Sequence, residues 1–131
     1  MRAEFPELLT IEVDRTKDRL VSGRPGTVGS GGNSGFQMLD FVAQTGASNI
    51  ILTGFDMQMK NGVHWHGPHG RGLGNPNEAN MRRWRAVMDG AAAELAARGI
   101  DVVNVSRWTA LTAYRQMTLP AALRHFGIAP C

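Results

Sequence analysis

The sequence predicts an α/β fold: a Rossmann-like three-layer sandwich with a short parallel sheet, one domain over residues 1–131. Three observations lead there. Three short apolar runs, Leu8–Val13, Asn49–Phe55 and Ile100–Val105, are bounded by polar or glycine-rich segments, as strands are. Between them lie two stretches with apolar residues at three- and four-residue spacing, as in amphipathic helices. The order strand–helix–strand–helix–strand joins parallel strands through crossovers, which are right-handed in nearly all known cases.

Each element has its own signals. Leu8–Val13 is rich in large apolar and β-branched residues, and Asp14 opens a polar stretch after it. Arg15–Gly32 is expected to be a long polar connection, with turns at its Gly-Arg-Pro-Gly and Gly-Ser-Gly-Gly pieces. Asn33 or Ser34 caps a helix to about Thr45, with Phe36, Leu39, Val42 and Ala43 on one face and Gly46 as its stop. Asn49–Phe55 is continuously apolar, as in a parallel strand buried on both faces. Asp56–Asn75 is a second long loop, after which Asn75 and Pro76 are expected to start a helix. Met81, Trp84, Met88, Ala91 and Leu95 form its core stripe, Arg82, Arg83 and Arg85 its solvated face, and Gly99 its end. Ile100–Val105 is the third strand, and a last short helix runs from Leu119 to Phe126. Three strands are few against a usual ~4–6. The chain is therefore expected to be a half-domain lacking an N-terminal βα portion, or to pair with a second copy as a homo-oligomer.

Composition narrows the classes. Hydrophobic residues make up 43% and charged ones 19%, enough for a core and unlike a disordered chain. The net charge of +3 comes almost wholly from arginine, since Lys17 and Lys60 are the only lysines. A weak positive field suits an anionic small molecule; the arginines are too scattered for a nucleic-acid footprint, so no nucleic-acid partner is expected. The single cysteine, Cys131, rules out an intrachain disulfide and a zinc–thiolate site. No apolar stretch approaches the ~18 residues of a membrane span, and Met1–Pro6 lacks the apolar region of a signal peptide. A cytoplasmic protein with no membrane partner is the expectation.

The chemistry-bearing residues cluster after strand ends, which in a parallel sheet lie on one rim where ligands bind. Gly31-Gly32-Asn33-Ser34-Gly35 opens the first helix, where close-approaching backbone N–H groups attract a phosphate or carboxylate. It reads equally as a flexible loop with an N-cap, and it is neither a dinucleotide fingerprint nor a P-loop. His64-Trp65-His66-Gly67-Pro68-His69 sets three histidines in six residues on a glycine-rich loop. They suit general acid–base work or metal ligation, and otherwise hold the loop by hydrogen bonds. Trp65 suits stacking on a base or sugar, or plugging the core. Gly54-Phe55-Asp56 closes the middle strand, where Asp56 suits Mg²⁺, a ribose hydroxyl or an Asx turn. Asn104 and Ser106 end the third strand, either to contact a ligand or to satisfy loop backbone. Arg107 is a phosphate partner or a solvated surface arginine.

Gly31–Gln37, Gly46-Ala47, Ile50–Asp56, His64–Gly67 and Val103–Ser106, in this order, resemble a family of uncharacterised phage and prophage proteins, from about Gly31 to Leu123. The chain is similar, more distantly, to the Rossmann-like group of archaeal hydroxymethylpterin pyrophosphokinases and flagellin glycosyltransferases, and to sialyltransferases. Ser34-Gly35, Gly54-Phe55 and His64-Trp65 take the places of that group's helix start, strand end and His–aromatic motif. Two features depart from it: related proteins carry an earlier βα unit, and Pro68 stands where they often have Asp. The resemblance implies a nucleotide or nucleotide-sugar donor and a transferase-like domain for glycosyl or pyrophosphoryl transfer. Gly32, Asn33, Ser34 and Gly35 would hold the donor phosphate, His64 or His66 would move the proton, and Asp56 would orient a ribose or Mg²⁺. Two rival expectations are a non-catalytic ligand-binding module of a phage protein and a metal site at His64, His66 and His69.

Overall fold

The computed structural model describes residues 10–60, 62, 67–70, 72 and 74–129. Among them the chain is α/β, with three helices and two short parallel sheets. Strands β1 (Glu12–Asp14) and β2 (Thr27–Gly29) form the first sheet. Strands β3 (Asn49–Leu52), β4 (Asp101–Asn104) and β5 (Arg115–Gln116) form the second, in that order and all parallel. Helix α1 (Ser34–Gln44) packs on β2, α2 (Glu78–Ala97) packs on β4, and the two helices touch each other. Helix α3 (Leu119–His125) follows β5. None of the described helices is long and apolar enough to cross a membrane.

Strand β2 and strand β5 correct the expectation of three strands and of one polar connection over Arg15–Gly32. Thr27 and Val28 are buried, and so are Leu20 and Val21 before them. The segment is hidden from periodicity because its strand has three residues and is held by side chains of α1. The Asp40 carboxylate, fully buried, accepts from the N–H groups of Val21 (3.0 Å) and Gly29 (2.8 Å). One turn on, Gln44 donates to the Thr27 carbonyl (2.8 Å) and accepts from Gly26 N–H (3.2 Å). Asp40 and Gln44 thus satisfy backbone groups that a longer sheet would otherwise have to pair.

The helix starts follow capping chemistry. Asn33 caps α1 by accepting from Phe36 N–H at 2.8 Å. Helix α2 begins two residues later than expected: Asn77, not Asn75, is its cap, in a reciprocal box with Asn80 at 3.0 Å each way. Asn75 instead ties the loop, accepting from His69 N–H at 2.7 Å. Its core face holds Met81, Val87, Met88, Ala91 and Leu95, with Trp84 only half-buried. Of these, Val87, Met88, Ala91 and Leu95 join Leu20, Phe36, Leu39, Ile50, Leu52 and Val102 in one cluster, so β3, β4 and both long helices contribute to a single core.

Candidate functional site

Because β3, β4 and β5 are parallel, the loops leaving them emerge on one side. A hydrogen-bond network fixes these loops to one another. Phe55 N–H donates to Ser106 Oγ (2.8 Å), and the Thr109 hydroxyl donates to the Phe55 carbonyl (2.7 Å). Thr109 Oγ1 also accepts from Asn104 Nδ2 (3.1 Å) and Leu111 N–H (3.1 Å). Asn104 Oδ1 takes Ser106 N–H at 2.9 Å, and Gln116 Nε2 donates to the Ser106 carbonyl at 3.0 Å. Asn104 and Ser106 are buried in this network and shape the rim from beneath.

On this rim lies a cleft of about 510 Å³, lined by Gln58, Lys60, Arg107, Trp108, Thr109 and Gln116. Gln58 and Lys60 come from the loop after β3, Arg107–Thr109 from the loop after β4, and Gln116 from the end of β5. Among the described residues neither Lys60 nor Arg107 has a carboxylate partner. Arg107 lies over the Trp108 ring, 5.2 Å from its centre, and Trp108 is 57% exposed. The arrangement offers a ligand two cations, an aromatic face and the amides of Gln58 and Gln116.

The backbone entering the cleft is under tension. Met57 has φ 51°, a left-handed conformation unfavourable for a side chain with a Cβ. Its carbonyl accepts from Arg85 Nη1 at 3.0 Å, so α2 holds the segment that carries Gln58 and Lys60. Arg85 is therefore not part of a merely solvated face. Arg83 does lie on the exposed face, where it grips Asp18 through two bonds of 2.7 and 2.8 Å.

The glycine loop stands on the other flank of Phe55. A Cβ on Gly35 would come within 2.8 Å of the Phe55 ring, so glycine is what allows the α1 start to approach the β3 exit. Gly31, with φ 54°, turns the chain, and a Cβ there would strike the Phe36 ring at 2.2 Å. Gly32 lies against Trp84 and Arg83. Among the described residues nothing accepts from the N–H groups of Ser34 and Gly35. The nearby charge favours the cleft over this loop as the stronger anion site. The Asp18 carboxyl is held below the usual carboxylate range, first by the Arg83 hydrogen bond and also by Gly31 N–H. An anion at the loop would thus meet an ionised carboxylate beside a cation already paired.

The remaining predicted residues divide. Gly54 and Asp56 are exposed at the β3 exit, and the Asp56 carbonyl accepts from Ala110 N–H at 2.8 Å. His69 is tied to the loop through its ring to the Gly74 carbonyl (3.3 Å) and through Asn75. His64, Trp65 and His66 lie outside the described residues. Among the described residues no three His, Cys, Asp or Glu side chains form a metal-holding group. Of the residues lining the cleft, Arg107 stands out in the sequence, whereas Gln58, Lys60, Trp108, Thr109 and Gln116 do not. The available signal was position: Trp108 adjoins Arg107, and Lys60 is one of only two lysines and follows a strand end.

A second cavity, of about 420 Å³, lies near the start of β4 beside Asp101 and Arg115. Those two charges pair with each other at 3.2 Å, which leaves little for a ligand. No protein-family model, curated protein or solved structure matches the chain.

Proposed function

We propose that this chain is a Rossmann-like domain of transferase kind, binding a nucleotide or nucleotide-sugar across the carboxyl ends of β3, β4 and β5. The observation that carries the reading is the cleft in which Lys60 and Arg107, lacking carboxylate partners among the described residues, stand with the exposed Trp108. Two like charges in one cleft raise each other's energy, and an anion between them relieves it. The cleft's volume falls within the ~300–1,000 Å³ usual for small-molecule sites. The resemblance to phage proteins and to the pyrophosphokinase and glycosyltransferase group points the same way.

In this reading Lys60 and Arg107 hold the phosphates. The N–H groups of Ser34 and Gly35, across Phe55, receive an uncharged oxygen of the donor or acceptor, with Gly31, Gly32 and Asn33 shaping the approach. His64 or His66 takes the proton from the acceptor hydroxyl as its oxygen bonds to the transferred sugar carbon or phosphorus, and the nucleotide portion of the donor leaves through its phosphate oxygen with the electron pair of the broken bond. Asp56 orients a ribose hydroxyl. It also fits as the single protein carboxylate of a Mg²⁺ accompanying the phosphates, a common arrangement for that ion.

The test is the melting temperature with CMP, CDP, UDP, ADP, ATP and GDP, each with and without Mg²⁺. A ligand at 100 times its Kd adds ~2.7 kcal/mol, a shift of several degrees for a domain this size. At least one nucleotide is expected to raise the melting temperature of the native chain, and the Lys60→Ala/Arg107→Ala variant is expected to lose that response. No shift with any nucleotide, or the same shift in the double variant, would overturn the proposal. A shift without turnover of any donor would leave the binding-module alternative in its place.

A further inference from the structure

We infer that Trp108 is the nucleobase platform of this cleft, with the base stacked on the indole face left open by Arg107 and the phosphates directed to the two cations. The inference rests on the nucleotide reading above and names the part of the ligand that gives the site its selectivity. Tryptophan is among the most buried residue types on average, yet Trp108 is 57% exposed. Four other large hydrophobics are comparably exposed among the described residues, Ile11, Met38, Leu119 and Ile128, and none of them lines this cleft. An aromatic ring exposed in a cleft wall beside cations is a surface that an anion alone would not cover.

The two kinds of lining group separate the ligand into two ends. Lys60 and Arg107 supply charge. Trp108, Gln58 and Gln116 supply a flat face and neutral hydrogen-bonding groups. Gln116 is oriented, because its Nε2 is engaged with the Ser106 carbonyl at 3.0 Å, leaving Oε1 as an acceptor. Gln58 has no hydrogen-bond partner among the described residues. Thr109 gives shape only, since its hydroxyl oxygen already has three partners. Arg107 on one face of the indole and a base on the other make a stack in which every layer is planar. Inorganic pyrophosphate would use only the charged groups; a nucleoside diphosphate would use both sets.

The experiment compares inorganic pyrophosphate with UDP, CDP, ADP and GDP by calorimetric titration of the full chain, its Trp108→Ala and its Trp108→Phe variants. The best nucleoside diphosphate is expected to bind roughly tenfold or more tighter than pyrophosphate. Trp108→Ala is expected to remove that excess while leaving pyrophosphate affinity within about twofold, and Trp108→Phe, which keeps a stacking face, to retain most of it. Equal affinity for pyrophosphate and all four nucleotides, or equal weakening of both ligand kinds by Trp108→Ala, would overturn this inference and leave the anion site standing. Binding of neither kind would overturn the inference together with the proposed function.

Discussion

Asp40 sits in the middle of α1 with its carboxylate fully buried, accepting two backbone N–H groups and the Gln44 amide at 3.2 Å. Asp40→Ala leaves both N–H groups buried without an acceptor. At ~1–3 kcal/mol for each such group, the variant is expected to lose about 3 kcal/mol in urea unfolding. Asp40→Asn keeps an oxygen for them and presents a second donor to Gln44, so its loss is expected to be smaller. Tyr114 has a different dependence. Its hydroxyl donates to the Met88 carbonyl, and burial first, then the Asp89 charge, raises its pKa well above the ordinary value. A phenol ionises near pH ~10 when unfolded, so below that pH both states are neutral and Tyr114 adds no pH dependence. Above it the unfolded state ionises first and stability falls as pH rises. The urea midpoint of the native chain is therefore expected to drop more steeply above pH ~10 than that of Tyr114→Phe. None of this was legible from sequence: a lone Asp at a polar helix position looks solvated until the segment it holds is seen.

At the scale of elements, legibility followed length. Helix α1, with Asn33, its apolar stripe and Gly46, was readable because eleven residues repeat a period several times. Strands β3 and β4 were readable as apolar runs. Strand β2 was not, since three residues carry no period and, besides pairing with β1, it is held by Asp40 and Gln44 of another element. The α2 start was displaced by two residues because Asn75 and Asn77 are both good caps, and the choice depends on the Asn77–Asn80 reciprocity and on Asn75 bonding to His69. The cleft depends on such a cross-element tie. Arg85 holds the strained Met57 from α2, 28 residues away in sequence. Arg85→Ala is expected to cost about 1 kcal/mol in stability, the usual worth of one hydrogen bond. It is expected to weaken nucleotide binding several-fold without removing any lining group. Calorimetric titration against the native chain checks it; unchanged affinity would show that the segment keeps its place without Arg85.

At the scale of the molecule, charge is arranged more tightly than a net +3 conveys. Arg24, Arg83, Arg98 and Arg115 each face a carboxylate, and of these pairs Arg83–Asp18 lies beside the glycine loop. Lys60 and Arg107 stand together without one among the described residues. Sequence placed Asp56, Ser106 and Arg107 after strand ends, and the parallel β3 and β4 send those loops to one side; Arg15–Gly32, expected on the same rim, instead follows β1 of the other sheet. Sequence did not indicate which of those loops converge, since that is fixed by the Phe55–Ser106 and Phe55–Thr109 bonds across more than fifty residues.

The most direct test is the backbone-amide NMR spectrum of the chain, at 14.2 kDa well suited to it, titrated with the nucleotide that most raises its melting temperature. Perturbations are expected at Gln58, Lys60, Arg107–Thr109 and Gln116, with a second group at Ser34 and Gly35. Perturbations confined to the apolar cavity of Ile11, Met38 and Phe41, to the Asp101–Arg115 cavity, or to none of the amides, would contradict a nucleotide site on the carboxyl rim of the sheet.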